Sequence, residues 1–158
     1  MKVQDIMISK PLSCTPQSNL AEVAQLMWQG DLGIVSIIDS AGQLLGVVTD
    51  RDICIAASTQ DKAPSQIFVS DLPHGDIYTC RPEDLALAAL TLMRERRVRR
   101  LPVTTANGTL QGIISINDLV LAAEDQAEVS PKEVLDAFKG ICAHRPARAT
   151  RAAAAGAA

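Results

Sequence analysis

The chain has 158 residues, 47% of them hydrophobic and only 3% aromatic, with a formal net charge of -3 at pH 7. This is enough apolar material for one compact domain or two small ones sharing a core, and too much for a disordered chain. The weak negative charge excludes a general attraction to nucleic acid, no apolar run approaches the length of a membrane span, and the acidic start Met1 to Asp5 is unlike a secretory signal.

With few aromatics the core must come from Leu, Ile, Val, Ala and Met, which suits helices packed on a small sheet. Leu20, Val23, Ala24 and Met27 fall at i, i+3, i+4 and i+7, one apolar face of a helix of roughly three turns. Ser18-Asn19 supplies its start and Gly30 with Gly33 its stop. Ile34 to Ile38 and Leu44 to Val48 are two β-branched runs joined by the turn Asp39-Ser40-Ala41-Gly42, so a hairpin follows, with a second helix after Thr49.

The same order then recurs. Cys14-x-Pro16 returns as Cys80-x-Pro82, 66 positions later, and the offset holds for Val3 and Val69, Leu26-Met27 and Leu92-Met93, Gly42-x-Leu44-x-Gly46 and Gly108-x-Leu110-x-Gly112, and Asp52 and Asp118. Residues 3–57 and 69–123 are two copies of one unit: short strand, helix, strand, strand, helix. Such a unit buries too little surface alone, so the copies should pack through their sheets about a pseudo-twofold axis. The expected boundaries are 1–57, a polar linker over 58–68, and 69–125. A C-terminal helix over 126–143 opens on the capping box Ser130-Pro131-Lys132-Glu133 and carries Val134, Leu135, Phe138, Ile141 and Cys142 on one stripe. The Arg/Ala-rich tail 144–158 has no pattern that specifies packing and reads as disordered.

The repeat, with Val3-Gln4-Asp5-Ile6-Met7 ahead of Pro11, the helix ending in Leu26-Met27, and Gly46-Val47-Val48-Thr49-Asp50-Arg51-Asp52-Ile53, closely resembles the CBS domain; two in tandem resemble a Bateman module. The resemblance covers about 120 of the 158 residues. It implies an α/β module with two clefts, a homodimer, and regulatory binding of adenosine-type ligands (AMP, ADP, ATP or S-adenosylmethionine). With no attached domain to act on, the output is expected through an unknown target protein or a change of oligomer. A ligand-free interaction module is the competing function.

In the family the polar core of a cleft resembles Thr/Ser-x-x-Asp, here Thr49 with Asp52 and Ser115 with Asp118. A helix N-terminus offers unpaired N–H groups to a phosphate, and the aspartate can accept both hydrogen bonds of a ribose diol. The same four residues are equally a helix-capping box that needs no ligand. Val98-Arg99-Arg100-Leu101-Pro102-Val103 resembles a stretch whose basic pair contacts phosphates in a kinase-regulating member of the family. Arg99 and Arg100 are thereby expected to serve the Thr49/Asp52 cleft of the other copy, where the first copy's Gly33-Ile34 has no charge. Arg94, Arg96 and Arg97 read as a solvated helix end. By the same resemblance the base lies near Ser9, Lys10 and Pro11 or near Gly75, Asp76 and Ile77.

Cys14, Cys54, Cys80 and Cys142 show no C-x-x-C spacing, and His74 and His144 have no ligand cluster around them, so reduced thiols and no metal are expected. Cys14 and Cys80 hold equivalent places and read as small buried residues. Neither a nucleophile elbow nor a phosphate-binding glycine loop is present, so no catalytic residue is expected. The address expected is cytoplasmic, without DNA or membrane partners.

Overall fold

The computed structural model describes residues 1–73, 75–124 and 127–143; the tail expected to be disordered lies outside the described residues. The elements of the first copy are β1 (Ile8–Ser9), β2 (Ser13–Cys14), α1 (Leu20–Gly30), β3 (Ile34–Ile38), β4 (Leu44–Thr49) and α2 (Asp50–Thr59). The second copy gives α3 (Ala86–Arg96), β5 (Arg100–Thr104), β6 (Leu110–Ser115) and α4 (Ile116–Leu121), and α5 (Pro131–Cys142) follows. They form two three-stranded sheets, β2-β3-β4 and β1-β6-β5.

The pseudo-twofold is visible at the hairpin tips. Gln43 and Thr109, equivalent in the repeat, bridge each other, and around them Leu44 N donates to Gly108 O and Leu110 N donates to Gly42 O, both at 3.0 Å. Gly42 and Gly108 take positive φ of 77° and 87°, which a side chain would resist, so each tip can turn within this contact.

The copies also exchange their leading segments. Val3 N donates to Asp84 O and Gln4 N to Pro82 O; reciprocally, Val69 N donates to Ser18 O and Ser70 N to Pro16 O. Val3 is thus buried in the second copy's core, while Val69 and Ile67 are buried in the first copy's. β1 continues the exchange, pairing antiparallel with β6. Gly112 permits it: a Cβ there would lie 2.6 Å from Met7 Sδ and 2.9 Å from the Ile8 carbonyl.

Three expectations need correction. Residues 58–68 are more than a polar spacer, since α2 runs to Thr59 and Ile67 is fully buried, its carbonyl accepting from Leu20 N. Gly30 is the last residue of α1 but does not end it by adopting a left-handed conformation; Asp31 does, at φ 50°, and a Cβ on Gly30 would press on the ends of the Leu12 and Leu32 side chains at 2.9 Å. The α5 stripe splits in two: Val134, Ala137 and Ile141 are buried in the second copy's core, while Leu135, Phe138 and Cys142 stay exposed. The inward set is spaced i, i+3, i+7, which decides the face.

Cys14 and Cys80 are buried free thiols. Burial pushes Cys14 up to about 11 and Cys80 up to about 12, with the Asp84 carboxylate adding to the second. Only the thiolate reacts with alkylating or disulfide reagents. At mildly alkaline pH, therefore, a thiol-reagent time course should show Cys54 and Cys142 labelled promptly and Cys14 and Cys80 only after unfolding. Four equal rates would contradict the burial.

Candidate ligand clefts

The first cleft, of about 570 Å³, lies between the copies. The first copy contributes Thr49, Asp50 and Arg51 at the start of α2, and the second contributes Arg97, Arg99 and Arg100 at the entry to β5, with Asp76, Ile77 and Tyr78 crossing beside them. Ile141 of α5 closes one side. The cross-copy reach is direct: an Arg100 guanidinium nitrogen lies 3.9 Å, and Asp50 Oδ2 3.4 Å, from where a Cβ on Gly33 would sit. Both are ordinary van der Waals distances, so Gly33 marks where the second copy's arginine meets the first copy's helix start.

The second cleft, of about 390 Å³, is the pseudo-symmetric counterpart and is more apolar. Ser115, Asn117 and Asp118 face Lys10, Pro11 and Leu12, with Ile8, Ile34 and Ile113 between. Arg100 lines this cleft as well. It is therefore not free of cations, as Gly33-Ile34 alone suggested: Lys10 and Arg100 stand against Asp31 and Asp118, compared with four arginines against two aspartates in the first cleft. Ser36, on this cleft's wall, has a buried hydroxyl with no partner among the described residues; Pro102 holds its place in the second copy. Both volumes suit a small molecule.

The Thr/Ser-x-x-Asp segments are capping boxes. Thr49 Oγ1 accepts from Asp52 N at 3.2 Å, and Asp52 Oδ2 accepts from Thr49 N at 2.9 Å and from the Thr49 hydroxyl at 2.6 Å. Ser115 and Asp118 repeat this geometry at 3.3, 2.7 and 2.6 Å. This corrects the expectation of unpaired helix-start donors: Asp50 N donates to Gly33 O, Arg51 N to Asp50 Oδ1, and Asp52 N to Thr49. Positive charge for an anion at the first cleft must come from guanidinium groups.

Not every expected residue lines a cleft. Thr49, Arg99, Arg100, Asp76 and Ile77 line the first, and Lys10, Pro11, Ser115 and Asp118 the second; Ser9 and Asp52 line neither. Ser9 is held in β1 opposite Gly112, and Asp52 is turned into its cap. The helix-end arginines are more than solvated: Arg96 stacks 5.0 Å over the Tyr78 ring, and Arg97 lines the first cleft. Arg99 lies 5.9 Å from the Phe138 ring. Tyr78 and Ile141 were missed because one sits on an irregular crossing segment and the other on a helix outside the repeat. Among the described residues no cluster of three or more His, Cys, Asp or Glu could hold a metal, and no helix is long and apolar enough to cross a membrane.

The CBS domain family model matches residues 3–58 and 69–125. A 17.7 kDa protein from the bps2 3′ region of Acidianus ambivalens is 34% identical over 125 residues, 78% of this chain and 74% of that one. The inosine-5′-monophosphate dehydrogenase of Mycobacterium tuberculosis is 29% identical over 72% of this chain but only 21% of the enzyme. Among solved structures, Hypoxic Response Protein I with two coordinated zinc ions superposes with a TM-score of 0.70 at 27% identity, covering 78% of this chain and all of that one. CBSX2 in complex with AMP gives 0.66 at 26% identity, covering 77% and 94%. The fold is thus an α/β tandem of two CBS units with an added C-terminal helix, and the chain belongs to the CBS-domain family.

Proposed function

We propose that the chain is a regulatory module, without catalysis of its own, that binds an adenosine nucleotide in the first cleft. The observation that carries this is the meeting of three arginines of the second copy with the Thr49–Arg51 segment of the first in one cleft of about 570 Å³. The likeness to CBSX2, solved with AMP, supports the ligand class. AMP, ADP and ATP fit the guanidinium cluster. S-adenosylmethionine, which carries no phosphate, fits the more apolar second cleft better. The signal leaves through a homodimer or a target protein, in the cytoplasm.

A second reading, a ligand-free interaction module, is favoured by one observation: the helix-start donors are already satisfied without a ligand. A thermal-shift panel of adenosine, AMP, ADP, ATP, S-adenosylmethionine and the guanosine nucleotides separates the two. A ligand at 100 times its dissociation constant should add about 2.7 kcal/mol of stability. No shift with any adenosine compound would leave the interaction module standing.

Asp52 can serve a ribose only through Oδ1, because Oδ2 is held by Thr49. Asp52→Ala would also break the Thr49 capping box, at a cost of about 0.5–2 kcal/mol of stability. Asp52→Asn keeps an acceptor for Thr49 N and removes the charge. It should weaken nucleotide binding about tenfold with little change in melting temperature. Unchanged binding, with the loss appearing instead in Asp50→Asn, would move the ribose contact to Asp50, which lines the cleft.

A further inference from the structure

The face of β3 that is turned to the other copy carries a serine whose hydroxyl has nothing to bind. Strand alternation sends Val35 and Ile37 into the first copy's core and leaves Ile34 and Ser36 on the opposite side. Ser36 is 1% exposed, and its hydroxyl has no hydrogen-bond partner among the described residues. The main chain around it is already engaged, because β3 is the central strand of its sheet, laddered to β2 on one side and to β4 on the other. A buried, unpaired hydroxyl is a net cost to the fold, and in the middle of a β-branched run a valine would avoid it. The second copy does avoid it: Pro102 stands at the equivalent place on β5.

The surroundings of Ser36 define what could pair with it. Of the polar side chains that line the second cleft, Ser36 alone is buried; Lys10 and Asp31 are exposed, and Arg100 and Asp118 half-buried. Its neighbours on the cleft wall include the apolar Leu32, Ile34 and Ile113. A ribose placed against such a wall would leave some of its hydroxyls unpaired, and a phosphate would lose its water without gaining a cation. A flat, largely apolar ring with a few nitrogens on its edge suits both the wall and the single hydroxyl. The cleft's two cations are matched by two carboxylates, so it has no excess positive charge to draw a phosphate.

We propose that Ser36 is the base-recognising residue of the second cleft: its hydroxyl is kept for one edge nitrogen of a nucleobase, and the cleft takes an uncharged or zwitterionic nucleoside in preference to a phosphorylated one. This rests on the reading of the clefts as sites for adenosine compounds. A hydroxyl that serves a ligand rather than the fold should make the unliganded chain less stable and the liganded chain more selective. Ser36→Ala reverses both.

The two clefts can be followed separately in one sample of the full chain. Ile8 and Ile113 line only the second cleft, and Ile77 and Ile141 only the first, so isoleucine methyl resonances report an affinity for each. The probes are adenosine, AMP, an analogue lacking the exocyclic amino group, and analogues with CH in place of one ring nitrogen. At the second cleft of the parent, adenosine should bind at least as well as AMP, and one analogue should bind about tenfold more weakly than adenosine. Ser36→Ala should weaken adenosine about tenfold there and bring it level with that analogue, while both affinities at the first cleft stay as they were. Without ligand, Ser36→Ala should raise the melting temperature by about 2–4 °C.

A lower melting temperature would mean that the hydroxyl serves the fold, and overturns the proposal. So does an unchanged adenosine affinity at the second cleft, or an equal loss for adenosine and every analogue, which would make Ser36 a matter of shape. If Ile77 and Ile141 respond to adenosine compounds while Ile8 and Ile113 do not, the proposal falls and the reading of the first cleft stands. If neither pair responds to any probe, both fall.

Discussion

Replacing Arg99 by Ala is expected to lower affinity for AMP about tenfold while leaving adenosine nearly unchanged, and replacing Arg100 as well should widen the loss to about a hundredfold. A charge-assisted hydrogen bond is worth about 1.5–3 kcal/mol, towards the low end at the exposed Arg99. Because Arg100 lines both clefts, the double variant should also weaken the second, and Arg99→Ala is the selective change. Salt should act in the same sense: the parent's preference for AMP over adenosine should shrink at high ionic strength, where exposed charges are screened beyond a few ångströms, and the double variant should lose that dependence. Calorimetric titration at two salt concentrations checks both points. A double variant that keeps the preference would reduce the arginines to a strand entry.

The largest stability effect should come from Ile67→Ala, in a segment that composition marks as a connector. Ile67 is fully buried in the first copy's core, and its carbonyl accepts the amide of Leu20 at the start of α1. Truncation of a buried isoleucine costs about 2–5 kcal/mol, the upper part of the range applying where the site cannot collapse. Chemical denaturation should show the loss as a lower midpoint with little change in slope. A loss under about 0.5 kcal/mol would mean that the exchanged segment is not part of the first copy's core.

These two residues mark the boundary of what the sequence could convey. The repeat was legible because every paired position kept one offset, and from it followed the hairpins, the helices and the pseudo-twofold now seen at Gln43 and Thr109. Ile67 was not legible: a single apolar residue among polar ones has no period to reveal its face. The exchange of leading segments is written in main-chain hydrogen bonds between distant residues, which leave no local pattern. At the clefts, Thr49, Ser115, Arg99 and Arg100 were found from their motifs and do line them. Asp52 and Asp118 share one spacing and one capping geometry, yet only Asp118 lines a cleft, so what decides exposure to a cleft is the surrounding wall, which local spacing does not encode. The left-handed residue after α1 is Asp31, and after α3 it is the equivalent Arg97, so the fold imposes that conformation on both copies without a glycine to signal it.

The first cleft as an anion-bearing nucleotide site joining the two copies is tested most directly by a crystal structure of the chain with AMP. The account predicts AMP in that cleft, its phosphate oxygens within hydrogen-bond distance of the Arg99 or Arg100 guanidinium and its ribose turned towards Asp50 or Asp52. AMP bound only in the second cleft, or with its phosphate pointing away from both arginines, would contradict it.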